Sequence, residues 1–341
     1  MRLFWSRMKY LLAIFSILII SSPGSGTEGR VVVVYTALDQ VYSEPILKEF
    51  QAQTGIQTRA VYDIEAAKTT GLVNRLIAEK RNPQCDVFWN NEVVRSIFLK
   101  RKGVIAAYRS PASADIPEQF KDKDGYWAGF AARARVLVVN TQLLEPPEYP
   151  KSIFDLLAPR WRANAAIANP LFGTTATHIA ALYSSMGTLP AKQYLMGLKN
   201  NAIRIVDGNS VVKDQVGAGE LIVGFTDTDD VNMGIFEGMP IRAIFPDKDG
   251  MGTLLIPNTV CLIKNGPNPE AGKHLIDFLL SKAVEERLAH SKSVQMPLRG
   301  DVKTPVNFVS LKDIKAMNVD FEKVADIMES SVSFVQDTFI R

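Results

Sequence analysis

Short, strongly apolar runs alternate along the chain with longer amphipathic ones, and that rhythm predicts an α/β protein. VVVVYTALD (31–39) is a continuous β-branched run ending in polar residues, the pattern of a parallel strand covered on both faces. SEPILKEFQAQTG (43–55) follows as an amphipathic helix, with Ser43 as its cap, Glu44 and Pro45 in the first turn and Gly55 as its stop. A strand IQTRAVYD (56–63), a helix EAAKTTGLVNRLIAEK (65–80), a strand CDVFWN (85–90) and a helix EVVRSIFLKRKG (92–103) complete βαβαβα. That spacing implies a parallel sheet with right-handed crossovers.

The pattern changes at the polar, loop-rich stretch 110–127, which leads into the arginine-bearing strand GFAARARVLVVNTQLL (129–144) and a crossing into a second lobe. Helices at 176–187, 191–201 and 210–219 then alternate with strands at 202–208 and 220–227. A strand-rich segment TLLIPNTVCLIKNG (253–266) and one long amphipathic helix (269–290) follow. Two α/β lobes with more than one crossing predict a cleft lined by strand ends and helix N-termini.

The first 26 residues are set apart from this fold. Arg2, Arg7 and Lys9 precede the apolar run LLAIFSILII and the small residues SSPGSG, which together read as an export signal. No cysteine follows that run, so a lipid-anchored form is not expected, and the mature chain should be soluble outside the cytoplasm. The three basic residues of the signal account for the whole formal charge of +3. What remains is neutral, which gives no reason to expect a nucleic-acid partner. Cys85 and Cys261 each lie inside an apolar run and read as buried free thiols.

Enzyme signatures are missing: there is no GxSxG elbow, P-loop, HExxH or dinucleotide fingerprint. His274 and His290 read as exposed on one helix, and His178 as structural. The chemistry that remains sits where strands end. Tyr35, Thr36 and Asp39 follow the first strand, Tyr62, Asp63 and Glu65 the second, and Trp89, Asn90, Asn91 and Glu92 the third. The stretch TDTDDVNMG (226–234) puts three aspartates, Asp227, Asp229 and Asp230, within four residues after an apolar run. Any one of these polar groups could be a helix cap; four such turns together, three with an aromatic beside them, predict a binding cleft. Gly173, Thr174 and Thr175 begin a helix whose free N–H groups and dipole favour an anion. Arg133 and Arg135 face one way on a strand, where they either grip an anion or form structural ion pairs.

The ordered anchors VVVVYTALD, CDVFWNNE, GFAARARVLVVNT, ANPLFGTT, DGNSVVKDQVGAGE and LIVGFTDTDDV resemble the ferric-ion-binding branch of the periplasmic solute-binding proteins of ABC importers, over nearly the whole mature chain. The resemblance implies a type II two-lobed fold, each lobe a mostly parallel sheet flanked by helices, with the ligand cleft between them. The lobes would be 29–130 plus 250–300 and 131–249 plus 301–341, after the signal peptide at 1–26. It also implies a monomer that delivers one small ligand to a membrane permease with its ATPase, and no catalytic cofactor. Carried over by position, the family's metal-site histidine falls at or beside Asp39, its glutamate on Asn91 or Glu92, its anion loop on Phe172 to Thr175, and a polar turn residue on Asn209. The tyrosine pair that ligates ferric iron falls on Asp229 and Asp230, the main departure. Carboxylates are hard donors too, so Asp39, Glu92, Asp229 and Asp230 could hold ferric iron or another hard cation together with an anion. The same carboxylates could instead hold the ammonium of an aminophosphonate or polyamine, packed against Tyr35, Tyr62 or Trp89. An enzyme on the same fold, using Asp229 or Asp230 as a base, is the remaining class.

Overall fold

The computed structural model describes residues 31–63, 69–306 and 308–340; the expected signal and Glu65 lie outside the described residues. Its first part runs β1 (Val31–Thr36), α1 (Gln40–Thr54), β2 (Gln57–Tyr62), α2 (Thr70–Ala78), β3 (Val87–Asn90), α3 (Val94–Arg101) and β4 (Ile105–Ala106). A long strand, β5 (Ala128–Asn140), leads to β6 (Ala165–Ala168), α4 (Gly173–Met186), α5 (Thr188–Asn200), β7 (Arg204–Val206), α6 (Asn209–Gly217), β8 (Val223–Asp227), α7 (Thr228–Phe236) and β9 (Ile241–Ile244). The chain returns through β10 (Leu255–Ile263), α8 (Pro269–Leu279) and α9 (Lys282–Ala289), and α10 (Phe321–Val335) packs against both α4 and α3.

The strands form one curled sheet in the order β2-β1-β3-β10-β5-β8-β6-β7, with β4 beside β10 and β9 beside β5. β1 pairs in parallel with β2 and β3, and β6 with β7 and β8, as the crossover pattern predicts. β10 is antiparallel to both β3 and β5. Within β5, residues 128–134 pair with β10, whereas 135–140 pair with β8 and β9, so one strand serves both halves of the sheet. Arginines 133 and 135 sit at this change of partner.

Side-chain alternation explains why the strands read as apolar throughout. Val32, Val34, Val87, Trp89 and Val260 face α1, α8 and α9, where Leu47, Phe50, Leu275 and Leu288 complete one core. Their neighbours Tyr35, Phe88 and Cys261 face the other way, onto Leu72, Leu76, Ile97 and Leu99 of α2 and α3. Burial on both faces leaves no polar alternation to betray the strand parity. Both cysteines are buried and free, and burial pushes the Cys261 thiol up to about 12. Among the described residues no helix is long and apolar enough to cross a membrane.

Two elements differ from the pattern-based expectation. α1 starts at Gln40, so Ser43 is inside the helix, its hydroxyl donating to the carbonyls of Leu38 (3.1 Å) and Asp39 (3.0 Å). The turn that launches α1 is set earlier, by Thr36 Oγ1 accepting from the Leu38 N–H at 3.2 Å. The expected single helix 269–290 is two, because Ser281 takes an extended backbone and its Oγ accepts from the Val284 N–H at 3.3 Å. A serine offering its own acceptor favours a new N-cap over a continued helix.

Gly224 shows how tightly α6 lies on β8: a Cβ there would meet Val212 Cγ1 at 2.2 Å and Val138 Cγ1 at 3.2 Å. Gly224→Ala should therefore cost roughly 1–3 kcal/mol through overpacking, read as a lowered midpoint in urea unfolding.

Candidate functional site

The carboxyl ends of β1, β3, β6, β7 and β8 and the N-termini of α1, α4, α6 and α7 converge on a cleft. Its lining includes Asp39, Asn91, Arg133, Gly173, Thr174, Thr175, Asp207, Asn209, Asp227, Asp229 and Asp230. Strand ends supply these residues because each parallel strand hands over to a helix at that edge, and polar residues are needed there to turn the chain.

Arg135 organises one wall. Its side chain is fully buried, its guanidinium lies 4.5 Å from the Phe225 ring centroid, and Nη1 donates to Asp227 Oδ1 at 2.7 Å, Asn209 Oδ1 at 3.0 Å and Thr174 Oγ1 at 3.2 Å. Nη2 donates to Thr175 Oγ1 at 3.2 Å. Asp227 Oδ2 in turn accepts from the Thr174 hydroxyl at 2.7 Å and Asn209 Nδ2 at 2.9 Å. Thr174, Asn209 and Asp227 thus direct their side-chain hydrogen bonds at one another. They hold the first turns of α4 and α6 beside β8, so that both helix starts line the cleft.

Arg133, two residues earlier, occupies the seam between the halves. Nη1 donates to the Asn91 carbonyl at 2.7 Å, Nη2 to Asn258 Oδ1 at 3.0 Å, and Nε lies 3.0 Å from Asp229 Oδ2. Of the two readings open for these arginines, both make buried ion pairs here. Oxygens of Asp227, Asp229 and Asp230 lie within 4.8 Å of one another, the arrangement a metal ion uses. Among the described residues of the lining, with Arg135 included, there are five carboxylates and two guanidiniums.

Of the residues expected from sequence, Asp39, Asn91, Arg133, Gly173, Thr174, Thr175, Asn209, Asp227, Asp229 and Asp230 all reach this cleft. Five do not line it. Tyr35 turns into the core behind β1, where its hydroxyl donates to Glu79 at 3.0 Å beneath the Arg75 guanidinium. Trp89 is fully buried against Phe130, Thr36 hydrogen-bonds within its own turn, and Tyr62 lies on the edge strand β2. Glu92 is a correction with a clear cause: its carboxylate caps α3, accepting from the N–H groups of Val94 (2.7 Å) and Arg95 (2.8 Å), and also from the Thr177 hydroxyl (3.0 Å). Burial raises its pKa, partly offset by Arg95 and those hydrogen bonds. Its carboxylate is enclosed by these contacts and does not line the cleft.

Two neighbours were missed. Asp207 lines the cleft just before α6, and the DGNS turn was its only sequence signal. Tyr42, on α1, lies near the acidic wall; burial first, then the charges of Asp229, Asp230 and Asp39, push its pKa well above the ordinary 10.0, so it stays a neutral phenol.

His178, the fifth residue after Gly173 in α4, packs on Phe225 with ring centroids 4.8 Å apart, and neither ring nitrogen has a hydrogen-bond partner. Burial, and then the nearby Arg135 charge, hold its pKa well below 6.5. Below pH 6.5 the unfolded chain takes up a proton that the folded one refuses, so stability falls as pH falls, by about 1.4 kcal/mol per pH unit. His178→Phe should remove that slope, measured as urea unfolding at acid and neutral pH in parallel with the parent.

Comparison with known proteins places this geometry in context. The family described as bacterial extracellular solute-binding protein matches residues 91–326. Iron uptake protein A1 of Synechocystis is 23% identical, with 94% of this chain and 89% of that protein covered. A putative 2-aminoethylphosphonate-binding periplasmic protein of Salmonella paratyphi A is 26% identical, covering 94% and 96%. Iron-bound HitA from Pseudomonas aeruginosa superposes with a TM-score of 0.81 at 21% identity, over 91% of this chain and 99% of that one, which shows a shared two-lobed fold. With more than half its length matched, the chain belongs to the bacterial extracellular solute-binding protein family.

Proposed function

We propose that this protein is the periplasmic, substrate-binding component of an ABC importer whose cargo is a hard cation, ferric iron first, taken up with a small oxyanion and delivered to a membrane permease and its ATPase. The observation that carries this reading is the charge balance: among the described residues five carboxylates and two guanidiniums gather around one cleft, beside the N-termini of α4 and α6. Asp227 is locked by Arg135, Thr174 and Asn209; of the other four lining carboxylates, Asp39, Asp229 and Asp230 are assigned as the cation donors. Backbone N–H groups at Gly173 to Thr175 would take the anion. The lobes 29–130 plus 250–300 and 131–249 plus 301–341 would close about β5 and β10, the strands common to both, and a single chain suffices.

The second reading, a 2-aminoethylphosphonate-type zwitterion, draws on the same pairing of an acidic wall with helix N-termini and on the 26%-identical relative. Its phosphonate would bring one to two further negative charges, by analogy with a phosphate monoester of second pKa about 6. Its ammonium offsets at most its own phosphonate, so such a ligand would bring no net positive charge to a lining whose described charged residues are mainly acidic. A polyamine would balance charge and leave two helix N-termini facing no anion.

Thermal melts separate the three. A ligand at about a hundred times its dissociation constant adds roughly 2.7 kcal/mol of stability. Ferric nitrilotriacetate with bicarbonate should raise the melting temperature accordingly, and 2-aminoethylphosphonate and spermidine should not. A shift with 2-aminoethylphosphonate alone would transfer the assignment to the second reading.

A further inference from the structure

The two buried ion pairs of the acidic wall differ in kind. Arg135 and Asp227 meet through an aligned hydrogen bond of 2.7 Å, and Asp227 is held on its other oxygen by Thr174 and Asn209. Arg133 reaches Asp229 through Nε alone, at 3.0 Å, and that nitrogen makes no aligned hydrogen bond. The rest of the Arg133 fork is anchored elsewhere, on the Asn91 carbonyl and Asn258 Oδ1, each in the half of the sheet containing β3 and β10. Asn258 is itself fixed, donating to the Ala131 carbonyl at 2.9 Å and Gln295 Oε1 at 2.7 Å. Losing Asp229 would therefore cost Arg133 its countercharge without costing it its position. Asp229 belongs to the first turn of α7, in the other half, beside Asp230.

We infer that Arg133 is a built-in counter-cation for Asp229, occupying this carboxylate in competition with the cargo, while Arg135 permanently removes Asp227 from the donor set. This rests on the hard-cation reading above. Three carboxylates with oxygens within 4.8 Å repel strongly unless cations lie among them. A protein that must let its cargo go at the permease gains from a resident charge that takes a carboxylate back. The anchored fork suits Arg133 to that role, because it waits at a fixed point. A cation on Asp229 would also feel the Arg133 charge nearby, which lowers affinity and speeds release. Arg133 is thus a positioning residue whose loss should tighten binding, the opposite of what loss of an anion-gripping arginine would do.

Gallium(III), a diamagnetic hard trivalent ion, allows the test with bicarbonate present. In the parent, saturation with gallium should shift the Arg133 Nε–H resonance and leave that of Arg135 in place. Arg133→Gln, which keeps a donor for Asn258, should bind gallium roughly tenfold more tightly or better, since a like charge is removed from a site of low dielectric; Arg133→Lys, which keeps the charge, should remain near the parent. Gallium that raises the melting temperature while the Arg133 resonance stays still overturns the counter-cation role and leaves the cargo reading standing. Gallium that fails to bind at all overturns the cargo reading, and this inference with it. Should Arg133→Gln not fold, the resonance measured on the parent decides alone.

Discussion

Asp229→Asn with Asp230→Asn is expected to weaken ferric binding by at least two decades while leaving a folded protein. Each carboxylate contributes a full charge at bonding distance from the cation, and even at 4 Å in an effective dielectric near 20 one unit-charge pair is worth about 4 kcal/mol. Asparagine keeps the shape of both side chains, leaves Arg133 an oxygen to face and relieves repulsion within the aspartate cluster, so the protein should still fold, with some stability lost because Arg133 gives up its countercharge. The lesion then separates ligand chemistry from packing. If the double variant binds iron as the parent does, the assignment of Asp229 and Asp230 is wrong, and the donors must lie elsewhere in the lining, with Asp39 and Asp207 first in line. A second consequence concerns selectivity. With carboxylates in place of phenolates, the site should discriminate less sharply between ferric iron and other hard cations.

Arg135→Met should have the largest effect on stability. It would leave Asp227, 3% exposed, facing Thr174 and Asn209 without a countercharge. Breaking a buried pair from one side costs about 3–5 kcal/mol, more than the pair contributes over a well-packed apolar substitute. Removing the partner as well, in Arg135→Met with Asp227→Asn, should recover most of that loss. Non-additivity in this cycle, read by chemical unfolding of the four proteins, measures the coupling directly. The single variant should also lose the anion dependence of cargo binding, because Arg135 is what ties Thr174, Thr175 and Asn209 into one cradle.

Much of this was legible in the chain. Apolar runs ending in polar residues located β1, β3, β7 and β8, whose carboxyl ends reach the cleft, while the alanine-rich β6 gave no strand signal; the glycine and threonines of 173–175 marked the start of α4. The direction in which a given side chain leaves a doubly covered strand was not legible. Tyr35 and Thr36 differ by one position in β1, and no polar alternation tells which faces a core and which a turn. Trp89 was drawn to the cleft by its place beside Asn90, yet strand parity sends it onto Phe130. Glu92 fitted both a metal ligand and a helix cap in sequence, and in the fold its carboxylate accepts from the N–H groups of Val94 and Arg95. Arg135 was visible as a buried cation with two rival roles; that it ties four side chains into one network depends on contacts with residues 39 to 92 positions away.

The central claim, a hard cation held by carboxylates with an anion on helix N-termini, meets its most direct test in equilibrium dialysis of the purified protein against ferric nitrilotriacetate, with and without bicarbonate, followed by iron determination. The account predicts that the parent retains iron stoichiometrically when bicarbonate is present, less without it, and that the Asp229→Asn, Asp230→Asn protein retains far less under either condition. A parent that holds no more iron than the double variant, while binding 2-aminoethylphosphonate saturably, would contradict it.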